Sequence, residues 1–263
     1  MVEQSERQVR SPGPVQSVDR ALDLLEVQAR GDGPVGVGEI AAATSLPQGT
    51  AHRLLRSLQA RGYVRHDTSR KYSLGAAAFL LGDAAQRSLA RSARPHLTAL
   101  VTLSGETSNL AVLEGDDVVY LAQVPSPHTL RMFAEVGRHV PPHSTAVGKV
   151  LLSAMPRERA VAILGRRGLA PMTPRTITGL PAFLNELDTT RTRGWAADEE
   201  EQELGIRCVA VPVAREGRVV AALSLSGPAE RFAGARVEGL IDRMAKVAGA
   251  FADELLGAVP PHD

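Results

Sequence analysis

Cysteine is almost missing from this chain. A single Cys208 among 263 residues excludes an intramolecular disulfide framework and suits a reducing compartment. Aromatic residues are scarce at 3%, and lysine is limited to Lys71, Lys149 and Lys246 against 27 arginines, a bias that GC-rich coding produces. No apolar run approaches the roughly 18–20 residues that span a bilayer. The first 14 residues are polar, without the apolar core of a signal peptide. Together these absences predict a cytoplasmic protein. Charge of one sign is lacking too: 30 Lys+Arg stand against 29 Asp+Glu, a net +1 that by itself gives a polyanion little to hold. What is present is a globular composition, 44% hydrophobic and 22% charged, which excludes wholesale disorder. At roughly 100–200 residues per domain, the length allows one large domain or two ordinary ones.

Residues 1–14, punctuated by Pro12 and Pro14, are predicted to be a mobile tail. A first helix is expected after Ser17 as its cap, with Asp19 in the first turn and Val18, Ala21, Leu22 and Leu25 as its apolar stripe. It stops near Gly31-Asp32-Gly33-Pro34. A short helix fits Val37–Thr44, Ser45-Leu46-Pro47 a tight turn, and a third helix Gln48–Arg61, ended by Gly62. Two short β-like runs follow, Tyr63–Arg65 and Lys71–Leu74, around the polar turn His66–Arg70. Helix, helix, turn, helix, hairpin is the order of a winged helix-turn-helix, bounded near Gly75.

Residues 76–91 predict an amphipathic helix with an apolar side too large for a lone helix in water. Either it is a core helix of a second domain, or it links two modules and packs on another subunit. Beyond it, Pro95–Leu103 is helical, and Thr107–Leu113 with Val118–Val124 makes a hairpin around Glu114–Asp117. Helices are expected from Ser144-Thr145 to Met155, over Arg157–Arg166 and over Leu180–Arg193. Cys208–Val213 and Val219–Ser226 form a second hairpin, and a terminal helix fills Gly234–Leu256. The fold class is α+β, with the hairpins building an antiparallel sheet of sensor type. The expected division is a tail 1–14, a winged helix-turn-helix domain 15–75, a linker helix 76–92, an α+β domain 93–257 and a tail 258–263.

The third helix carries the strongest chemical signal. Ala51, Leu54, Leu55 and Leu58 share its core face, leaving Gln48, Thr50, His52, Arg53, Arg56 and Gln59 outside. A helix of this diameter fits the DNA major groove, where Arg and Gln pair with base edges and Thr and His with phosphates. Residues 50–71 hold Arg53, Arg56, Arg61, Arg65, Arg70 and Lys71 against Asp67 alone, a local charge of +5. An isolated basic helix is usually a solvated face. Here it follows a helix-turn and precedes a basic hairpin, whose Arg65, Arg70 and Lys71 suit backbone phosphates.

Enzymatic signals are weaker. His143–Lys149 has the outline of a phosphate loop but lacks its first glycine and the Ser/Thr after the lysine. Asp198-Glu199-Glu200-Glu201 is a candidate metal ligand run, although adjacent acids usually form a solvated loop. His139 and His143 have metal-like spacing with Cys208 as a third ligand, but no second Cys completes a zinc set. No Ser stands in a G-x-S-x-G context. No cofactor, metal or catalytic residue is predicted.

Several segments in order resemble the IclR family of bacterial transcriptional regulators: Thr50–Leu55, His143–Lys149, Gly194–Val213 and Ala221–Pro228. The resemblance covers about residues 15–257. It implies a winged helix-turn-helix joined by a linker helix to a GAF- or PAS-like effector-binding domain. It also implies dimers, or tetramers built from dimers, acting as repressors or activators on palindromic operators, with small organic acids or aromatic catabolites as effectors. In acid-sensing members of that family the pocket uses main-chain amides, an Asp, the Cys and two Ser. By motif position these become Ala146 and Val147, Asp198, Cys208, Ser224 and Ser226. The pair Ala146-Val147 is bulkier than the Gly-Ala of some members, which keeps the main-chain donors and narrows the pocket.

Physical chemistry supports such a site. Unpaired N–H groups in a helix's first turn favour a carboxylate, and Ser224 and Ser226 fall on one face of a strand. Alternatively these are merely small, tolerated strand residues. Asp198 sits oddly beside an anion unless it accepts a hydroxyl proton or pairs with a base such as Arg207. The expected function is an effector-responsive, homo-oligomeric repressor. Its rivals are a small-metabolite enzyme and an adaptor that keeps the winged fold without DNA. Ten basic and eight acidic groups lie in residues 1–75, and 20 and 21 in the rest, so the neutral total conceals the basic third helix and wing.

Overall fold

The computed structural model describes residues 15–31, 33–129, 135–232 and 235–257. The expected tails, together with Asp32 and Gly234 at two expected helix boundaries, lie outside the described residues. The chain divides into two compact units between Ala85 and Gln86.

In the first unit α1 (Gln16–Arg30), α2 (Val37–Ala43) and α3 (Gln48–Ala60) accompany a three-stranded antiparallel sheet. Its order is β1 (Val35–Gly36), β3 (Lys71–Leu74), β2 (Val64–His66). Leu24, Ile40, Ala41, Ala51, Leu55, Val64 and Tyr72 form the core. Gly62, with φ +75°, ends α3 as anticipated. Its N–H reaches the Gln59 carbonyl and that of Tyr63 reaches Leu58, both at 2.9 Å, which closes a Schellman motif. Gly75 lets the wing return across α3's end, since a Cβ there would lie 2.2 Å from the Gly62 carbonyl oxygen. Two expectations for α1 fail. Val15, not Ser17, is its N-cap, and no side chain caps it. The buried stripe runs through Leu24 and Gln28, while Val18 and Leu22 stay about half exposed, at 54% and 52%.

The helical stretches expected on either side of Pro95 are one helix, α4 (Ala76–Ser104). Proline inside a helix removes one N–H and clashes with the preceding turn. Burial of Ala93, Leu97 and Leu100 in the core of the second unit holds the helix together there. The core reading holds for the second half of α4, where Leu97 and Leu100 are buried, whereas Phe79, Leu80 and Leu81 in the first half are exposed at 73%, 66% and 59%.

The second unit is built on a six-stranded antiparallel sheet with order β6 (His139–Val140), β5 (Asp117–Val124), β4 (Thr107–Glu114), β9 (Arg218–Pro228), β8 (Ile206–Arg215), β7 (Ala196–Glu199). The two long hairpins were legible from alternation and turn residues. Glu216 and Gly217 both take positive φ (51° and 77°) in the β8–β9 turn, the pattern whose twist matches a hairpin. The edge strands β1, β6 and β7 were not foreseen, because two to four residues are too few for a periodic signal. One sheet face packs against α4 and α8 (Ala235–Leu256) through Leu97, Leu110, Leu223, Met244 and Phe251. The other face carries α5 (Ala146–Ser153), whose Ala146, Val147 and Val150 sit against Tyr120, Cys208, Ala210 and Ala222. Beyond α5, α6 (Arg157–Arg167) and α7 (Leu180–Arg193) close a further cluster around Phe183.

Candidate nucleic-acid interface and effector site

The first unit exposes what a polyanion needs. Burying Ala51 and Leu55 against α1 and α2 turns Gln48, His52, Arg53, Arg56 and Gln59 of α3 outward, with Thr50 half-buried at the edge. On the wing, Arg65, Arg70 and Lys71 are exposed. The wing is held open by its turn: the Asp67 carboxylate accepts from the Lys71 N–H at 2.9 Å. That hydrogen bond, its first cause, holds Asp67 below the usual carboxylate range. Arg70 takes a left-handed φ of 61° at the turn's end, and His66 packs its ring on Tyr72 at 4.7 Å. Among the described residues, none of Arg53, Arg56, Arg65, Arg70 and Lys71 is tied to a carboxylate. Their charges are unspent.

In the second unit, strand register assembles a polar row on the sheet face beneath α5. Asp198 pairs with Cys208, Cys208 with Ser226, and Ser226 with Thr107. Two residues along, Ala210 pairs with Ser224, Ser224 with Asn109, and Asn109 with Gln123. The Asn109 amide donates to the hydroxyls of Ser224 (3.2 Å) and Ser226 (3.3 Å), and Gln123 donates to Asn109 at 2.8 Å. Asn109, Gln123 and Tyr120 were not foreseen. The available signal was a buried polar residue recurring on the inward face of a hydrophobic strand.

Over this row stands the first turn of α5. Thr145 caps it, its hydroxyl accepting from the Gly148 N–H at 3.2 Å. The helix supplies no carbonyl to the N–H groups of Ala146 and Val147, its first two residues. Gly148 lets the turn Pro142–Ser144 fold under the helix: a Cβ would lie 2.1 Å from the Pro142 carbonyl oxygen.

The acidic run is not a solvated loop. Asp198 belongs to β7 and is buried, as is Glu201. One Asp198 oxygen accepts from the backbone of Glu201 (2.6 Å) and Gln202 (3.3 Å). Glu201 pairs at 2.6 Å with Lys149, itself buried, and Lys149 also donates to the Ala197 carbonyl at 2.9 Å. Ser144 donates to Gln202 at 2.5 Å, so α5 and its approach grip this segment twice. Arg207 is not Asp198's partner. It faces Glu199 at 2.9 Å and Glu200 at 3.8 Å. Burial first, and the Glu201 charge behind it, push the Asp198 carboxyl up to about 7. Burial also pushes the Cys208 thiol and the Tyr120 phenol above their ordinary values.

His139, His143 and Cys208, set aside above as an incomplete zinc set, lie apart among the described residues. His139 lies exposed on β6 near Asp117. His143 is buried, hydrogen-bonded to the Ala170 carbonyl at 2.9 Å and edge-on to Phe183. Cys208 sits in the row on β8. Among the described residues no three His, Cys, Asp or Glu side chains cluster as metal ligands. A cleft of about 220 Å³ lined by Trp195, Ala197, Glu199, Arg207 and Phe232 opens beside β7 and β8. Its Ala197 and Val209 belong to the opposite sheet face, and Cys208 of the polar row also borders it.

Comparison with known proteins matches both units. A family model described as the IclR helix-turn-helix domain matches residues 17–68, and one described as bacterial transcriptional regulator IclR C-terminal matches residues 83–252. The acetate operon repressor of Salmonella typhimurium is 39% identical over 234 residues, covering 87% of this chain and 85% of that protein. The crystal structure of the Thermotoga maritima IclR is similar with a TM-score of 0.62 and 30% identity, over 91% of this chain and 98% of that one. An IclR homologue from Microbacterium hydrocarbonoxydans, crystallised with 4-hydroxybenzoate, gives a TM-score of 0.61 and 25% identity over 91% and 99%.

Proposed function

This chain belongs to the IclR family of bacterial transcriptional regulators, and from that membership we propose that it is an effector-responsive repressor acting in the cytoplasm as a homodimer or dimer of dimers. Its DNA-binding module is 15–75, its linker 76–92 and its effector-binding module 93–257. Gln48, Arg53 and Arg56 read base edges, with Thr50 and His52 on phosphates. Arg65, Arg70 and Lys71 hold the backbone on either side of the groove. The exposed apolar residues Phe79, Leu80 and Leu81 pack against a second copy. The effector is a small carboxylate, aliphatic or aromatic. Its anionic end meets the N–H groups of Ala146 and Val147, and its remaining polar atoms meet Asp198, Cys208, Ser224 and Ser226. The chain acts by binding, without enzymatic turnover.

Effector binding shifts the placement of two recognition helices that must lie about 34 Å apart on a palindromic operator. The carrying observation is the α3 face, five exposed side chains including unspent Arg53 and Arg56, next to an unpaired basic wing. The test is binding to the DNA upstream of the chain's own gene. Arg53→Ala with Arg56→Ala loses at least 100-fold in affinity with circular dichroism unchanged. Equal affinity would mean the winged module serves protein contacts instead.

A further inference from the structure

Asp198 poses an electrostatic problem that the proposed effector site must solve. The row Asp198–Cys208–Ser226 lies on the sheet face that packs against the first turn of α5, where the reading above puts a carboxylate. Asp198 is 2% exposed, and one of its oxygens is already committed to two backbone N–H groups. The nearby cation is Lys149, and it is spoken for: Glu201 holds it at 2.6 Å and Glu186 stands at 3.7 Å. Arg207 is turned to Glu199 and Glu200. With Asp198 ionised, the buried trio Lys149, Glu201 and Asp198 carries −1 before any ligand arrives, and an anionic effector would make it −2. Two carboxylates sharing a buried site do not both ionise.

Resting on the carboxylate-effector reading above, we propose that Asp198 takes up a proton as the effector binds, so that it meets the ligand as a neutral hydrogen-bond donor. The protonated acid keeps its oxygen on the Glu201 and Gln202 amides and offers its O–H to a carboxylate or carbonyl oxygen. In this way the row acquires a donor opposite the N–H groups of α5, and the ligand oxygens are held from both sides.

The groups facing Asp198 leave it as the proton's destination. From β8, Cys208 is a thiol held well above its usual range by burial. From β5, Tyr120 is a phenol also held above its ordinary range by burial. Lys149 of α5 and Glu201 are bound to each other. Glu203 and Arg138 act only at a distance, on Cys208 and Tyr120 respectively. His143, close enough to feel Lys149 and Glu201, is kept neutral by burial, its proton affinity being below the ordinary histidine value. Its titration would appear on the acid side of neutrality, and the thiol and phenol titrate on the alkaline side. Asp198, already drawn to about 7, spans the interval between them.

The experiment is isothermal titration calorimetry of the full chain with acetate, pyruvate, lactate and 4-hydroxybenzoate, in paired buffers of different ionisation enthalpy, from about pH 6 to pH 9. The expected result for a probe that binds is a Kd nearly constant below about pH 6.5. Above about pH 7.5 it weakens toward tenfold per pH unit, with close to one proton taken up. Asp198→Asn, a neutral amide that can still accept the two backbone hydrogen bonds, is expected to bind with a Kd independent of pH and near the wild-type low-pH value. A Kd flat across the range with no proton uptake overturns the proposal and leaves the effector reading standing. So does an Asp198→Asn variant that folds but binds far more weakly at every pH, which would show the ionised carboxylate accepting a ligand hydroxyl. If none of the four probes binds at any pH, the carboxylate-effector reading itself fails, and the proton uptake with it.

Discussion

Asp198 departs from the ordinary behaviour of a surface carboxylate, and its consequence for stability has a definite sign. Its pKa in the fold, about 7, lies above the ordinary 3.8, so between these values the folded chain holds a proton that the unfolded chain has released. This group's contribution is therefore fully present below about pH 4 and is lost as pH rises through 7. Asp198→Asn should remove that slope: thermal melts at pH 8 place the variant above wild type by a stability on the order of a few kcal/mol, and near pH 4 the difference vanishes. A variant equally stable at both pH values would place the carboxyl in a well-solvated setting. Leu55, fully buried in the first unit, gives the simpler case. Leu55→Ala should cost about 2–5 kcal/mol in denaturant unfolding through transfer and cavity terms. At this scale the site was legible only where a motif marked it. Asp198, Cys208, Ser224 and Ser226 stand in recognisable segments, but the partner of Ser224 and Ser226 is Asn109, 115 and 117 residues away, and no local pattern announces a cross-strand neighbour.

Elements were legible in proportion to their length. α7 runs Leu180–Arg193 as its periodicity requires, and the long hairpins announced themselves by turns at Gly115 and Gly217. β7 did not, because an Ala-Ala-Asp-Glu edge strand next to more acids has the composition of a loop. Only pairing with Cys208 and the buried Lys149–Glu201 bridge make it a strand. The α1 stripe was right at Leu25, which packs against the core, but it included the exposed Val18 and Leu22 and missed the buried Leu24, because all of them fit a helical period. Which apolar side faces inward is decided by α2 and α3. Two tests belong here. Gly148→Ala places a methyl group 2.1 Å from the Pro142 carbonyl, so the approach to α5 must shift. The expected outcome is effector affinity lowered at least tenfold with operator affinity retained. Lys149→Met strands the Glu201 carboxylate in the interior and should cost about 3–5 kcal/mol in unfolding free energy.

For the whole molecule, a net charge of +1 averages a basic α3 and wing with a slightly acidic remainder, which is why totals said so little about nucleic acid. The expected signature is a steep fall of operator affinity with salt, about 0.9 in the log–log slope per phosphate engaged, and Lys71→Ala should lower that slope by about one. Leu80→Glu with Leu81→Glu puts charge on the exposed apolar stretch of α4. Sedimentation should then show smaller particles and weaker operator binding at nanomolar protein.

If one chain couples a carboxylate site to a DNA-binding surface, linkage makes that coupling reciprocal. The most direct measurement is the operator affinity of the full chain with and without a saturating carboxylate, set beside the carboxylate affinity with and without saturating operator. Both affinities are expected to change by the same factor, at least fivefold, corresponding to about 1 kcal/mol of coupling or more. Two ligands that both bind while leaving one another's affinity unchanged would contradict it.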